Sequence, residues 1–144
     1  LSNELNLGLL MFLPYRAMEW RVMEALAAHG YGDITLAQAR VFQRIGPSGT
    51  RLTELAEAAQ VTKQTAGFLV DQLESLEYVR RVPDPGDKRA RLVTFAPRGR
   101  RACAVAAETV RAVEHEWSEH LGPRRTAQLR AALESLREIT DPYL

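Results

Sequence analysis

Apolar side chains recur every three or four positions between Leu5 and His29, at Leu9, Phe12, Leu13, the stem of Arg16, Trp20, Met23 and Ala27. That spacing predicts a helix, kinked at Pro14 because proline removes a backbone donor. The glycines of His29-Gly30-Tyr31-Gly32-Asp33 then end it. Thr35 followed by Gln38 is a capping-box pattern and opens a second helix, with Leu36, Ala39 and Phe42 inward and Val41 and Ile45 as further candidates. Gly46-Pro47-Ser48-Gly49 closes it, and Thr53 is expected to cap a short third helix from Glu54 to Ala59.

The fourth helix begins at Thr62 and its faces separate. Ala66, Leu69, Val70, Leu73 and Leu76 form one stripe, and Lys63, Gln64, Thr65, Gly67, Phe68, Asp71 and Gln72 occupy the rest. Two alternating strand-type runs follow, Val79 to Val82 and Lys88 to Thr94, around a Pro-Asp-Pro-Gly-Asp turn. A short helix, a polar-faced helix and a basic hairpin in this order make a DNA-reading device: the first turn of helix four offers Thr62, Lys63, Gln64 and Thr65 to base edges and phosphates. An ordinary amphipathic helix also shows polar residues outside. The capped helix before it and the hairpin after it favour DNA.

Charge sharpens this picture only through its distribution. The 144 residues carry a net charge of +1, yet positions 80 to 101 hold eight lysines and arginines against two acids, Asp84 and Asp87. A basic stripe therefore stands on a mildly acidic body. The 46% apolar share suffices for one packed domain. The single cysteine, Cys103, excludes an internal disulfide and suits a reducing compartment. Leu7 to Leu13 is too short to span a bilayer and lacks an export pattern, so a cytoplasmic protein without a membrane partner is expected.

The chain ends carry two more amphipathic helices. Cys103, Ala106, Val110, Val113, Trp117 and Leu121 recur at helical spacing, as do Leu129, Leu133, Leu136 and Ile139 from Thr126 onward. Their apolar faces need a partner, and a two-fold homodimer would bury them while setting two recognition helices about one DNA turn apart, on a pseudo-palindromic operator.

Leu52-Thr-Glu-Leu-Ala56, Val61-Thr-Lys-Gln-Thr65, Leu69-Val-Asp-Gln-Leu-Glu74, Tyr78-Val-Arg-Arg81 and Asp84-Pro-Gly-Asp-Lys-Arg-Ala-Arg-Leu-Val93 together resemble the MarR family of bacterial winged-helix regulators. The Asp-x-Arg wing signature, Asp87 to Arg89, is the most specific part. The resemblance implies a mainly α fold: a winged helix-turn-helix over 33–95 with a small β-hairpin wing, and dimerisation helices over 1–30 and 97–144 of a single domain, 1–144. It also implies that helix four enters the major groove and that Arg89, oriented by Asp87, enters the minor groove. Arg80, Arg81, Lys88, Arg91 and Arg98 are expected on phosphates. One departure is Glu77, standing where the family commonly has glycine after the recognition helix.

Sensing is less legible. The resemblance suggests a small aromatic or anionic effector between the terminal helices and the DNA-binding part, and Tyr15, Arg16, Met18, Trp20 and Phe42 are the candidates, each also a candidate for ordinary core. Cys103 beside Arg100 and Arg101 is a possible oxidation switch, although it lies on an apolar stripe. His115, Glu116, Glu119 and His120 have i, i+4 pairs that suit a metal, or equally a solvated helix face. No metal or cofactor is expected. An enzyme is disfavoured, because the three histidines fit no nucleophile or hydrolase spacing and no glycine loop cradles phosphate. The alternative to a regulator is a winged-helix assembly module with weak, non-specific DNA affinity.

Overall fold

The computed structural model describes residues 3–142. The ends of the expected ranges 1–30 and 97–144, at 1, 2, 143 and 144, lie outside the described residues. In chain order the elements are α1 (Leu7–Ala28), α2 (Leu36–Phe42), β1 (Thr50–Arg51), α3 (Leu52–Ala59), α4 (Lys63–Ser75), β2 (Val79–Asp84), β3 (Asp87–Phe95), α5 (Pro97–Leu121) and α6 (Pro123–Thr140). The fold is mainly helical with a small wing, as expected.

Local chemistry explains most boundaries. Asn6 caps α1 by accepting from the Leu9 N–H at 2.8 Å, and α1 runs through Pro14 unbroken. The Thr35–Gln38 capping box forms in full: the Gln38 N–H donates to the Thr35 hydroxyl, and the Thr35 N–H donates to the Gln38 side chain. Thr53 does not cap α3. That helix starts at Leu52, with Arg51 as its N-cap, because Thr50 and Arg51 form a strand that leads straight into the helix. Proline occupies the first helical position of both α5 and α6, where its missing donor costs nothing, and only Gly122 separates the two.

The wing is antiparallel with strand order β1-β3-β2. Val79 faces Phe95, Arg81 faces Val93 and Asp84 faces Asp87, so Pro85 and Gly86 alone make the turn. The two-residue strand β1 lies on the far edge of β3 and was not visible as a pattern.

Beneath the wing lies one core. Ile34, Val41, Phe42 and Ile45 meet Leu55, Leu69, Val70 and Leu73, and Tyr78, Val79 and Val93 close it. Leu26 of α1 and Ala102 of α5 join this core from the terminal helices. Phe42 stands edge-on to Phe95, with ring centres 5.0 Å apart, and edge-on to Tyr78 at 6.1 Å. Leu36, expected inward, is exposed. Gln72, expected outward, is partly covered and accepts from buried Gln38 at 3.0 Å, joining α2 to α4.

Candidate nucleic-acid interface

Helix α4 is set by its buried stripe. Ala66, Leu69, Val70 and Leu73 are covered, which fixes the rotation of the helix and turns its other face to solvent. Thr62 is the N-cap: its hydroxyl accepts from the Thr65 N–H at 3.0 Å and donates to the Thr65 hydroxyl at 2.9 Å. Thr62 and Thr65 are therefore partly committed to the helix start, while exposed Lys63 and Gln64 make no side-chain bond to another described residue.

Within the wing, the strand period of two separates neighbouring arginines. Arg80 is exposed, whereas Arg81 shares its face with buried Val79 and turns toward α4. There its guanidinium donates to Asp71 at 2.7 Å and Glu74 at 3.0 Å, and its own N–H donates to Glu74. Arg81, expected on a phosphate, is engaged here with two acids of α4. Arg98, expected likewise on a phosphate, is also engaged within the chain. It reaches Asp33 at 3.0 Å and the Leu76 carbonyl at 2.6 Å, and lies over the Tyr78 ring at 4.3 Å.

At the wing tip, Asp87 accepts from the Arg89 backbone N–H at 3.0 Å. It shapes the turn rather than gripping the Arg89 side chain, as had been expected. Asp84 accepts from the Gly86 N–H and from Arg51, whose guanidinium comes within 2.7 Å of Asp84 and 3.9 Å of Asp87. The Gly86 hydrogen bond and then Arg51 hold the Asp84 carboxyl below its usual range. Both acids of the wing are thereby offset by Arg51, a residue the sequence did not single out because β1 has no periodic signal. Lys88, Arg89 and Arg91 remain exposed, with no carboxylate of the described residues in ion-pair range.

A junction around buried Tyr78 holds this unit to the terminal helices. The Tyr78 hydroxyl donates to Asp33, which Arg98 of α5 also grips, and Arg98 reaches the Gly30 carbonyl at the end of α1. Burial and the bond to Asp33 push the Tyr78 phenol well above the usual tyrosine range. Burial alone would raise the Asp33 carboxyl, but hydrogen bonds from Tyr78 and Arg98 outweigh it and hold it low.

The five effector candidates do not converge. Phe42 is core, between Phe95 and Tyr78, since aromatic stacking fills the space beneath the wing. Trp20 is 67% exposed and donates to Glu24 on its own helix at 2.6 Å. The Arg16 guanidinium lies 5.8 Å from the Phe12 ring, Met18 is half-buried, and the Tyr15 hydroxyl accepts weakly from Gln43 at 3.4 Å. An open groove of about 1080 Å³ is lined by Met11, Arg44, Trp117, Leu121 and Leu133 among others, and by none of those five. Burial pushes the Cys103 thiol up, opposite to what a reactive thiolate requires. His115 lies 3.8 Å from Glu119 on an exposed surface, and among the described residues no cluster suits a metal. No described helix is long and apolar enough to cross a membrane.

These features have counterparts. A family model described as MarR family matches residues 32–90. The transcriptional regulator HosA of Escherichia coli O111:H- is 33% identical over 90 residues, 62% of this chain and 67% of HosA. The chain belongs to the MarR family of transcriptional regulators. A crystal structure of mutant MarR from E. coli complexed with operator DNA is 26% identical, covering 90% of this chain and 92% of that one at a TM-score of 0.69. The MarR family protein RV2887 of Mycobacterium tuberculosis, in complex with salicylic acid, is also 26% identical. It covers 94% of this chain and 99% of its own, at a TM-score of 0.66. Such agreement over nearly the whole chain extends the membership beyond the winged helix to the terminal helices.

Proposed function

We propose that this MarR-family regulator is a homodimeric repressor that clamps a pseudo-palindromic operator, with α4 in the major groove and the wing in the minor groove. The observation that carries the reading is the distribution of partnered and unpartnered charge. Asp71, Asp84 and Glu74 are each met by an arginine of the same unit, whereas Lys63, Arg80, Lys88, Arg89 and Arg91 are left exposed. A surface meant for solvent gains nothing from such sorting. One meant for phosphates does. Gln64 and Lys63 then read base edges, and Arg89 enters the narrow, strongly negative minor groove of A·T-rich DNA. Occupancy of the operator by a dimer blocks polymerase, in the cytoplasm.

Release by a small aromatic or anionic effector completes the reading. Support comes from the salicylic acid complex of RV2887.

Selection from a randomised duplex library at about 0.15 M salt should enrich an inverted repeat with half-site centres about ten base pairs apart. Arg89→Ala should weaken binding to the enriched duplex at least tenfold with its melting temperature unchanged. With roughly six phosphate contacts per dimer, log affinity should fall against log salt with a slope of about −5. A flat salt response, or no enrichment by folded protein, would overturn the repressor reading.

A further inference from the structure

We propose that Phe68 is a base-specificity residue of α4, its ring packing on thymine methyl groups in the major groove. The inference rests on the operator-binding reading and goes beyond it by naming what an unassigned side chain recognises.

Phe68 is 62% exposed in a protein whose other three phenylalanines include two, Phe42 and Phe95, packed together under the wing. At 100° per residue, Gln64 and Phe68 lie 40° apart on α4 and stand opposite the buried stripe of Ala66, Leu69, Val70 and Leu73. Phe68 follows Gln64 by one turn, about 6 Å further along the axis. The outward face therefore passes from polar donors to an aromatic ring.

The next outward residue, Asp71, would repel DNA if left bare. Arg81 meets it at 2.7 Å, so part of the negative charge beside the ring is already offset. Helix α4 packs against α2, α3 and β2, and Phe68 belongs to no apolar run of the kind that α1 and α6 carry. A second copy of this chain seated on those runs therefore leaves the Phe68 ring without a described neighbour.

Among groups on major-groove base edges, the C5-methyl of thymine is the apolar one. A phenyl ring offers no donor or acceptor, so it discriminates only by burying that methyl. Removing one buried methyl-sized group corresponds to about fourfold in affinity.

The test starts from the selected operator and replaces each thymine in turn by deoxyuridine, which keeps base pairing and loses only the methyl. Wild type should lose about fourfold at one or two thymines per half-site. Phe68→Ala should bind the unmodified operator more weakly and be indifferent to deoxyuridine at those positions, with Phe68→Leu intermediate. A specific operator in which no thymine methyl matters, or a penalty that persists unchanged in Phe68→Ala, overturns the role of Phe68 while leaving operator binding intact. So does a Phe68→Ala protein whose sedimentation mass changes while its deoxyuridine sensitivity does not, since the ring then serves an interface between chains. No enriched sequence at all overturns both readings.

Discussion

The winged-helix unit and the terminal helices show the same apolar spacing and opposite fates. In α4, Leu69, Val70 and Leu73 recur at helical intervals and are covered by the same chain. In α6, Leu129, Leu133 and Leu136 recur likewise and stay exposed, as do Leu10, Met11 and Phe12 of α1, and no described residue of α6 is buried. Periodicity thus tells that a face will be covered, not which chain covers it. The first region is complete in one copy. The second leaves large apolar side chains of α1 and α6 open to solvent, and we propose that a partner copy covers them.

The largest effect expected from this contrast is on assembly. Leu133 is 43% exposed in the single chain. In a two-fold interface each buried leucine contributes about 2 kcal/mol and counts twice, so Leu133→Glu should weaken dimerisation on the order of a thousandfold. Sedimentation at micromolar concentration should change from dimer to monomer mass, with the wing and its core still folded by near-ultraviolet circular dichroism. Equal masses for wild type and variant would dissolve the contrast between the two regions.

The second effect falls where the regions meet. A Cβ placed on Gly99 would stand 2.0 Å from the Tyr78 carbonyl oxygen and 3.4 Å from the Phe42 ring. The oxygen belongs to backbone already engaged by the Ala96 N–H, so it cannot retreat without breaking the junction. Gly99→Ala should cost about 3 kcal/mol, read as a lower urea midpoint. An unaltered midpoint would mean that α5 is not held tightly against β2.

A smaller effect separates the junction from the rest by pH. Because the Asp33 carboxyl is held below its unfolded value, its contribution to stability is fully present above about pH 4 and is lost as pH falls through the folded value. Asp33→Asn should start less stable at neutral pH and lose less between about pH 4 and pH 2. Parallel acid profiles for the two proteins would show that the Asp33–Arg98 contact does not join the regions.

Most of this architecture was legible because its signals are local. The Thr35 box, the α4 stripe and the hairpin turn each depend on residues within a few positions of one another, and each forms as the pattern predicts. What the sequence concealed is distant in the chain. Arg51 to Asp84 spans 33 positions and Arg98 to Asp33 spans 65, so nothing in local spacing told these arginines from phosphate ligands. The adjacent pair Arg80-Arg81 illustrates the same limit, since the strand period separates them but only the packing of β2 on α4 decides which one faces acids. Phe42 and Trp20 lie apart, one in the core and one in solvent, for a related reason: an aromatic on a helical stripe does not reveal whether its neighbour is core or solvent.

Glu77 is where the sequence departs from its family and the structure supplies the reason. It adopts φ 66, the left-handed region that disfavours a side chain with a Cβ. The conformation is imposed from both sides: the Glu77 N–H donates to the Glu74 carbonyl at 3.0 Å, and the Tyr78 N–H donates to the Leu73 carbonyl at 2.9 Å. These are the two bonds of a Schellman motif ending α4, and the second sets buried Tyr78 under the wing. Glu77 is exposed and on no apolar face, so replacing it removes strain without opening a cavity. Glycine relieves about 1–2 kcal/mol of left-handed strain but adds freedom to the unfolded chain worth about 0.5–1 kcal/mol. Glu77→Gly should therefore stabilise the protein by roughly 0.5–1 kcal/mol, a rise of a few degrees in melting temperature. Operator affinity should stay constant if the turn already holds the wing at its working pitch relative to α4. Destabilisation by glycine would mean that the Glu77 side chain contributes more than its backbone costs.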